Sequence, residues 1–305
     1  MLEFESNKMS NKRVGFIGLG NMGGRMTRRL VDAGVAVLGY DVSPDRAQAC
    51  GATPAKTIRE VVEGSDIILL SLPDSPVVEK VCEAADGILA ACRSGQVVVD
   101  LSTAAASSTM RLNGVFKERG VTFIDAGISG GAAAAEKGTL TLMIGGDATA
   151  IEAVLWVFKP FSTKAVVMGA SGAGHITKTL NNFLNAVTLA STAEVMVAAK
   201  KARLDLHKVL EVINSSSGVS FASLNRFPKI IEGDYLEGGL TNKLMTKDVV
   251  LYCDLAHALG VSSLNSSGPM ASFGLATALG YGDKISNRVV DAIGDVSGGV
   301  RLKDQ

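Results

Sequence analysis

The stretch VGFIGLGNMG, Val14 to Gly23, decides how this chain is read. Its first half is a short apolar run, of the kind that forms a strand buried on both faces of a sheet. Its second half, Gly18-Leu19-Gly20-Asn21-Met22-Gly23, is a G-x-G-x-x-G. Alone that spacing is weak, because a glycine-rich turn with no ligand shows it too. Between a buried strand and the start of a helix it has a mechanism. Gly18 allows the tight turn, Gly20 lets a pyrophosphate approach the backbone, and Gly23 lets the helix pack close to the strand. The N–H groups around Asn21 and Met22, with the positive end of the helix dipole, then hold phosphates.

Further along, a second apolar run ends at Asp41, 23 residues after Gly18. An acidic residue at about that spacing accepts hydrogen bonds from the ribose hydroxyls of a dinucleotide. Its charge repels a 2′-phosphate, so NAD is favoured over NADP. Arg46 lies close enough to accept such a phosphate and works the other way. The alternative for Asp41 is a turn carboxylate before Ser43-Pro44.

The same alternation continues through the first half. Apolar runs of four to seven residues occur at Val14-Gly18, Ala36-Asp41, Asp66-Leu72, Gln96-Leu101, Val121-Ala126, Thr139-Ile144 and Ala165-Met168. They suit strands of a parallel sheet buried on both faces. Helical segments are clearest at Met22-Ala33, Pro76-Ala91 and Ala105-Arg119. Ser75 reads as an N-cap before Pro76, and Gly34 and Gly120 sit where helices should end. Alternating strands and helices imply a doubly wound α/β sheet.

The pattern changes after Gly174. His175 to Arg203 runs 29 residues with no proline or glycine and with helical spacing. Such a helix is about 43 Å long, enough to link two domains. The rest reads as helical, with polar breaks at Asn214-Ser217, Gly233-Thr241 and Ser262-Pro269. The expected organisation is a polar N-terminal tail over 1–12, a dinucleotide-binding domain over 13–171, and an all-α domain over 172–305.

Composition agrees. A length of 305 residues suggests two domains at roughly 150 residues each. With 47% hydrophobic and 20% charged residues the chain is globular rather than disordered. Thirty basic residues balance thirty acidic ones, so nucleic acid is not an expected partner. The longest apolar stretch, Phe183 to Ala199, is broken by polar residues and is not a membrane span. The first residues lack the apolar core of a signal peptide. Cys50, Cys82, Cys92 and Cys253 form no metal or CxxC spacing, and neither do the three histidines. They read as thiols of a reducing compartment, so a metal-free cytoplasmic protein is expected.

Three further pieces carry chemistry. Asp100-Leu101-Ser102-Thr103 ends a strand. Ser129-Gly130-Gly131 follows another and can offer hydroxyl and N–H groups to an anion. Gly172-Ala173-Gly174-His175-Ile176-Thr177-Lys178-Thr179-Leu180-Asn181-Asn182 opens the long helix. There Lys178, Asn181 and Asn182 fall at i, i+3 and i+4, on one face. Taken singly, each has a plainer reading: a solvated lysine, an ordinary turn. Two asparagines inside a helix, where asparagine is a poor former, tilt the balance toward a polar site.

GLGNMG (18–23), DLST (100–103), DAGISGG (125–131), GAGHITKTLNN (172–182) and KD (247–248), in that order, resemble the β-hydroxyacid dehydrogenases. That family includes 3-hydroxyisobutyrate dehydrogenase and tartronate semialdehyde reductase, with 6-phosphogluconate dehydrogenase as a larger relative. The resemblance runs from about Arg13 to about Gly294. It implies a Rossmann domain joined by a long interdomain helix to an all-helical domain that mediates homodimers or homotetramers. It implies NAD-dependent hydride transfer at C3 of a small 3-hydroxyacid or the matching semialdehyde. By the same resemblance Lys178 is the general acid/base and Asn182 bonds the reacting substrate, with Asn181 beside it. Ser129, Gly130 and Gly131 hold the substrate carboxylate. Thr103 lies at the nicotinamide, Leu72 and Pro73 contact the cofactor, and Lys247 closes over it. A lysine can serve in this way if desolvation or the cofactor's positive charge lowers its pKa.

The chain departs from the family at several points. Gly127 stands where proline is usual, Arg25 where the first helix usually has proline, and Leu240 where an aromatic residue is common. The roles of these and of His175, one turn before Lys178, are open, and an enlarged pocket is one reading of Gly127 and Leu240. Two other functions compete with this reading. Imine reductases share the architecture and typically lack the lysine, so Lys178 speaks against them. A non-catalytic NAD-binding protein would be favoured by loss of the lysine or by an added domain, and neither is seen.

Overall fold

The computed structural model describes residues 12–303. The expected polar tail, apart from Lys12, lies outside the described residues. Eight strands form one sheet: β1 Val14–Ile17, β2 Val37–Tyr40, β3 Thr53–Pro54, β4 Ile67–Leu70, β5 Val97–Asp100, β6 Thr122–Ser129, β7 Leu140–Gly145 and β8 Ser162–Gly169. Their spatial order is β3-β2-β1-β4-β5-β6-β7-β8. The direction of winding reverses between β1 and β4, so the loops after β1 and β4 diverge and leave a crevice at the carboxyl ends of the strands.

Successive residues of each central strand enter opposite cores. Phe16, Leu69, Val99 and Ile124 pack with Met26 and Leu30 of helix α1, Gly23–Asp32. Ile17, Ile68, Val98 and Phe123 pack on the other face with Phe116, whose ring stacks on Phe123 at 5.2 Å. This period of two, with apolar residues at both phases, is why the runs read as continuous apolar strings.

Several expectations need correction. β7 runs antiparallel to β6, pairing Asp125 with Gly145 and Ser129 with Thr141. The link between them holds only the helix Gly131–Lys137, too short for a parallel crossover, which needs a dozen or more residues. β8, which includes the run Ala165-Met168, is a half-exposed edge rather than a strand buried on both faces, with Met168 40% exposed. β3 is an additional two-residue edge strand with no apolar run to announce it. Pro76-Ala91 is two helices, Ser75–Glu83 and Ile88–Ala91, because the backbone turns extended at Ala84 and the second helix restarts after Gly87. The N-cap of the first is Asp74, whose carboxylate accepts from Val77 N at 3.0 Å, and Ser75 is already helical. Gly34 and Gly120 do end helices, at φ +84° and +67°.

The long helix spans Ala173–Lys201, 29 residues, and contributes its first turns to one compact unit and the remainder to a second. The division falls after Lys178. Among the described residues no strand follows Gly169. The second unit buries Leu189, Ala193 and Met196 of the long helix with Phe227, Met245 and Phe273 in one apolar cluster.

Candidate active site

The glycine loop is built for close approach. Gly18 has φ +90°, and a Cβ there would meet Ser71 O at 2.4 Å. A Cβ on Gly23 would meet Gly18 O at 1.9 Å. Gly20 differs: a Cβ on it would have only the Arg46 guanidinium within 4 Å, at 3.7 Å, so its backbone faces open space. Helix α1 has no side-chain cap and no acidic residue in its first turn, which leaves N–H groups and the dipole for an anion. Beside this loop a cavity of about 290 Å³ is lined by Leu19, Gly20, Gly24, Arg25, Arg28 and Arg46, among others. A pyrophosphate-bearing cofactor fits these residues. Asn21 is exposed and Met22 half-buried at the loop.

Asp41 holds the loop together. Its Oδ2 accepts from Leu19 N at 2.7 Å and its Oδ1 from Ser43 N at 2.8 Å. Arg46 adds an ion pair at 3.2 Å. The carboxylate is therefore a turn anchor as well as a candidate partner for a ribose. Arg25 is also engaged, with Asn21 and with Glu136 at 3.0 Å, which ties α1 to the helix Gly131–Lys137.

On the other side of the switch point, the Ser102 hydroxyl accepts from Leu72 N at 2.9 Å, so the loops carrying Leu72-Pro73 and Thr103 are locked together. Ser102 N donates in turn to Asp100 Oδ1 at 2.9 Å. Asp100 is fully buried, and burial pushes its carboxyl above the usual range, with nearby His175 opposing the shift.

The start of the long helix is anchored on β6. Asp125, fully buried, accepts from Gly172 N at 2.7 Å and from His175 N at 2.9 Å. His175 is 1% exposed, and its Nδ1 shares a hydrogen bond with Thr109 Oγ at 2.7 Å. It is a core histidine. One turn on, Lys178 is buried, and its stem lies against Gly127: a Cβ on that glycine would meet Lys178 Cβ at 2.5 Å and Cγ at 3.1 Å. The room left by Gly127 is thus filled by the lysine stem and is not an enlargement of a pocket. Leu240 packs against the apolar cluster of the second unit.

Asn182 is buried and donates to Asp248 Oδ2 at 2.6 Å, with Lys247 Nζ 3.3 Å from the other oxygen. Asn181 departs from expectation: it is exposed and does not share the buried stripe of Lys178 and Asn182. Ser129 is half-buried and Gly130 and Gly131 are exposed, at φ +124° and +67°. A Cβ on Gly130 would strike Ala134 Cβ at 2.5 Å, whereas one on Gly131 would meet nothing within 4 Å.

Sequence reasoning assigned no part to Asp125, Thr109 or Asp248. Asp125 and Asp248 stood inside the quoted motifs, and a buried carboxylate within a motif was the available signal. Thr109 offered none.

A switch-point sheet, a glycine cradle for phosphates and a buried lysine at the head of a long helix define a class, the nicotinamide-dependent oxidoreductases. Comparison with known proteins narrows this. Residues 13–169 match the NAD-binding domain of 6-phosphogluconate dehydrogenase, and 172–293 match the NAD-binding region of NADP-dependent 3-hydroxyisobutyrate dehydrogenase. A 2-(hydroxymethyl)glutarate dehydrogenase of Eubacterium barkeri is 36% identical, over 78% of this chain and 80% of its own. An NAD-dependent L-serine dehydrogenase of Pseudomonas aeruginosa is 35% identical, over 90% and 95%. The structure of a Mycobacterium tuberculosis 3-hydroxyisobutyrate dehydrogenase with L-serine superposes with a TM-score of 0.84 at 28% identity, covering 93% of this chain and 99% of that one. The chain belongs to the β-hydroxyacid dehydrogenase family. It is an NAD-dependent oxidoreductase of the CH–OH group of small hydroxyacids. An imine reductase from Pseudomonas sp., at 21% identity and a TM-score of 0.61, shares the fold alone.

Proposed function

We propose that the protein interconverts a small 3-hydroxyacid and its semialdehyde, with Lys178 as the general acid/base. The observation that carries this is the buried lysine, seated on Gly127 at the head of a helix that Asp125 anchors. The cofactor, when bound, supplies a nicotinamide that takes up or returns hydride. Gly18, Gly20, Asn21, Met22 and Gly23 hold its pyrophosphate, and Asp41 holds the adenosine ribose. Leu72, Pro73 and Thr103 bound the nicotinamide side, and Lys247 closes over it.

The remaining work falls to groups that touch substrate. Ser129, Gly130 and Gly131 hold the carboxylate and so aim C3, which is catalysis by positioning. In oxidation Lys178 Nζ takes the hydroxyl proton, and in reduction it gives one back. Asp248 claims one amide hydrogen of Asn182. The carboxamide is thereby fixed in plane, and its second hydrogen is left for the substrate oxygen as negative charge develops there. Asn181, being exposed, serves at most at the margin of the site.

Self-association as a homodimer or homotetramer is part of this reading. Leu184, Val212, Phe221, Leu259 and Leu264 of the second unit are each more than 60% exposed, apolar side chains of the kind that association covers. Among the described residues no helix is long and apolar enough to cross a membrane. The four cysteines are free thiols, which supports a reducing, cytoplasmic setting.

The test is NADH formation across 3-hydroxyacids, including 3-hydroxyisobutyrate, glycerate, serine and threonate, with NADP⁺ in parallel. Wild type should turn over at least one of them. Lys178→Ala should lose about 10³-fold or more in kcat, as for a general acid/base, with NAD binding intact by titration. A silent panel, or a variant with wild-type turnover, would overturn the assignment.

A further inference from the structure

Among the described residues of the second unit, Arg226 is a half-buried guanidinium that no carboxylate neutralises. Arg226, at the junction of the short helices Phe221–Asn225 and Phe227–Ile230, is partly buried. It donates from Nη1 to Asn287 Oδ1 and from Nη2 to Asn185 Oδ1, both at 2.9 Å. The exposed Phe221 ring lies 5.6 Å from its central carbon. All of these partners are neutral, and among the described residues no ion pair joins Arg226 to a carboxylate.

The other half-buried arginines of this unit are treated differently. Arg288 pairs with Asp291 at 2.9 Å and with Glu237 at 3.2 Å, and Arg301 pairs with Asp295. Asp248, which partners Asn182, is engaged by that residue and by Lys247. Burial alone pushes the Arg226 guanidinium down to about 10, and no carboxylate acts to restore it. A desolvated cation held by neutral amides is costly, and such groups concentrate at functional sites.

Position adds the second argument. Asn185, which holds Arg226, follows Asn182 by three residues on the long helix, a rise of about 4.5 Å. Asn182 is the residue assigned above to the reacting hydroxyl. The cation is therefore tied to the long helix just under one turn beyond Asn182. Two of the five N–H donors of the guanidinium are spent on amide oxygens, which orient the fork and leave three for another acceptor.

We propose that Arg226 is a substrate-binding residue whose guanidinium pairs with a second carboxylate, carried on the arm of the 3-hydroxyacid that extends away from the reacting carbon. The preferred substrate class is then a hydroxymethyl dicarboxylate. This rests on the dehydrogenase reading given above.

Two probes isolate the claim. In 3-hydroxyisobutyrate a methyl group stands where 2-(hydroxymethyl)glutarate has a carboxyethyl arm; the hydroxymethyl and first carboxylate are common to both. Wild type should favour the dicarboxylate in kcat/KM by about tenfold or more, chiefly through KM, and should lose that preference when the far carboxylate is converted to its neutral amide. Arg226→Gln should cut kcat/KM for the dicarboxylate by about 10- to 100-fold and leave 3-hydroxyisobutyrate nearly unchanged. Arg226→Lys, which keeps the charge and loses the fork, should recover part of it. Equal wild-type kcat/KM for dicarboxylate and amide overturns the proposal whether or not the variants fold. So does an Arg226→Gln variant that lowers both substrates alike together with Tm, which marks the arginine as a structural cross-link. Wild type inactive on every hydroxyacid would instead overturn the underlying assignment, and the two failures are distinguishable.

Discussion

Gly127 shows how one missing side chain sets a site. A Cβ in place of its hydrogen would stand 2.5 Å from Lys178 Cβ and 3.3 Å from Gly174 O. The lysine and the strand are packed through this one gap. Gly127→Ala should displace Lys178 by the better part of an ångström. Displacements of that size cost on the order of 10²-fold in rate, so kcat should fall by about that much while NAD titrates as before. An alanine variant with unchanged kcat would show that the lysine has slack. Arg46 offers a second test. Its ion pair with Asp41 offsets a charge that would otherwise repel a 2′-phosphate. Arg46→Ala should therefore lower kcat/KM for NADP⁺ by about tenfold more than for NAD⁺, the worth of one charge-assisted hydrogen bond. Lys178 and Asp41 were both legible in the sequence, because motif and spacing name them. Their packing partners were not, since nothing local connects position 127 with 178.

Among the elements, the long helix was predicted closely: 29 residues beginning at His175 against 29 beginning at Ala173. Periodicity carries that much because a helix repeats its buried stripe every three or four residues. What secures its first turn is remote. Asp125 on β6 supplies both oxygens to the backbone N–H groups of Gly172 and His175. Asp125→Ala would strand two buried donors, at about 1–3 kcal/mol each. Tm should drop by several degrees, and kcat should fall with it because Lys178 stands one turn further on. A variant that loses stability alone would separate the anchor from the catalytic geometry. The antiparallel turn of β7 was illegible for a related reason. An apolar run states that a strand is buried, and only the length of its connection states which way it points.

For the whole molecule, stability against pH follows from the carboxylates and phenols that folding shifts. The Arg13 N–H and guanidinium hold Asp66 below the usual range, and Arg301 does the same for Asp295. A depressed carboxylate contributes stability that is present above its unfolded pKa and lost as pH falls through the folded one. Asp66→Asn should therefore flatten part of the acid limb of a urea-unfolding profile below about pH 4. On the alkaline side, burial and the hydrogen bond to Asp291 push Tyr235 up to about 12. The folded chain keeps that proton where the unfolded chain releases it near pH 10. The contribution is thus whole below about pH 10 and is lost as pH rises through about 12. Tyr235→Phe should remove that slope, and an unchanged alkaline limb would assign it elsewhere.

Local rules were enough for the glycine cradle, the alternation of strands and helices, the change to an all-helical second half, and the lysine with its neighbouring asparagine. Each depends on residues within one or two turns of one another, and such patterns survive in a linear text. Folding alone decided what those residues meet. Asp125 reaches Gly172 across 47 positions, Asn182 reaches Asp248 across 66, and Arg226 reaches Asn185 across 41. It also exposed Asn181 and buried Asn182, two neighbours that a helical wheel places on adjoining flanks of one stripe. The reason is physical. A buried polar group must find a partner wherever the fold brings one, and no sequence spacing prescribes that meeting.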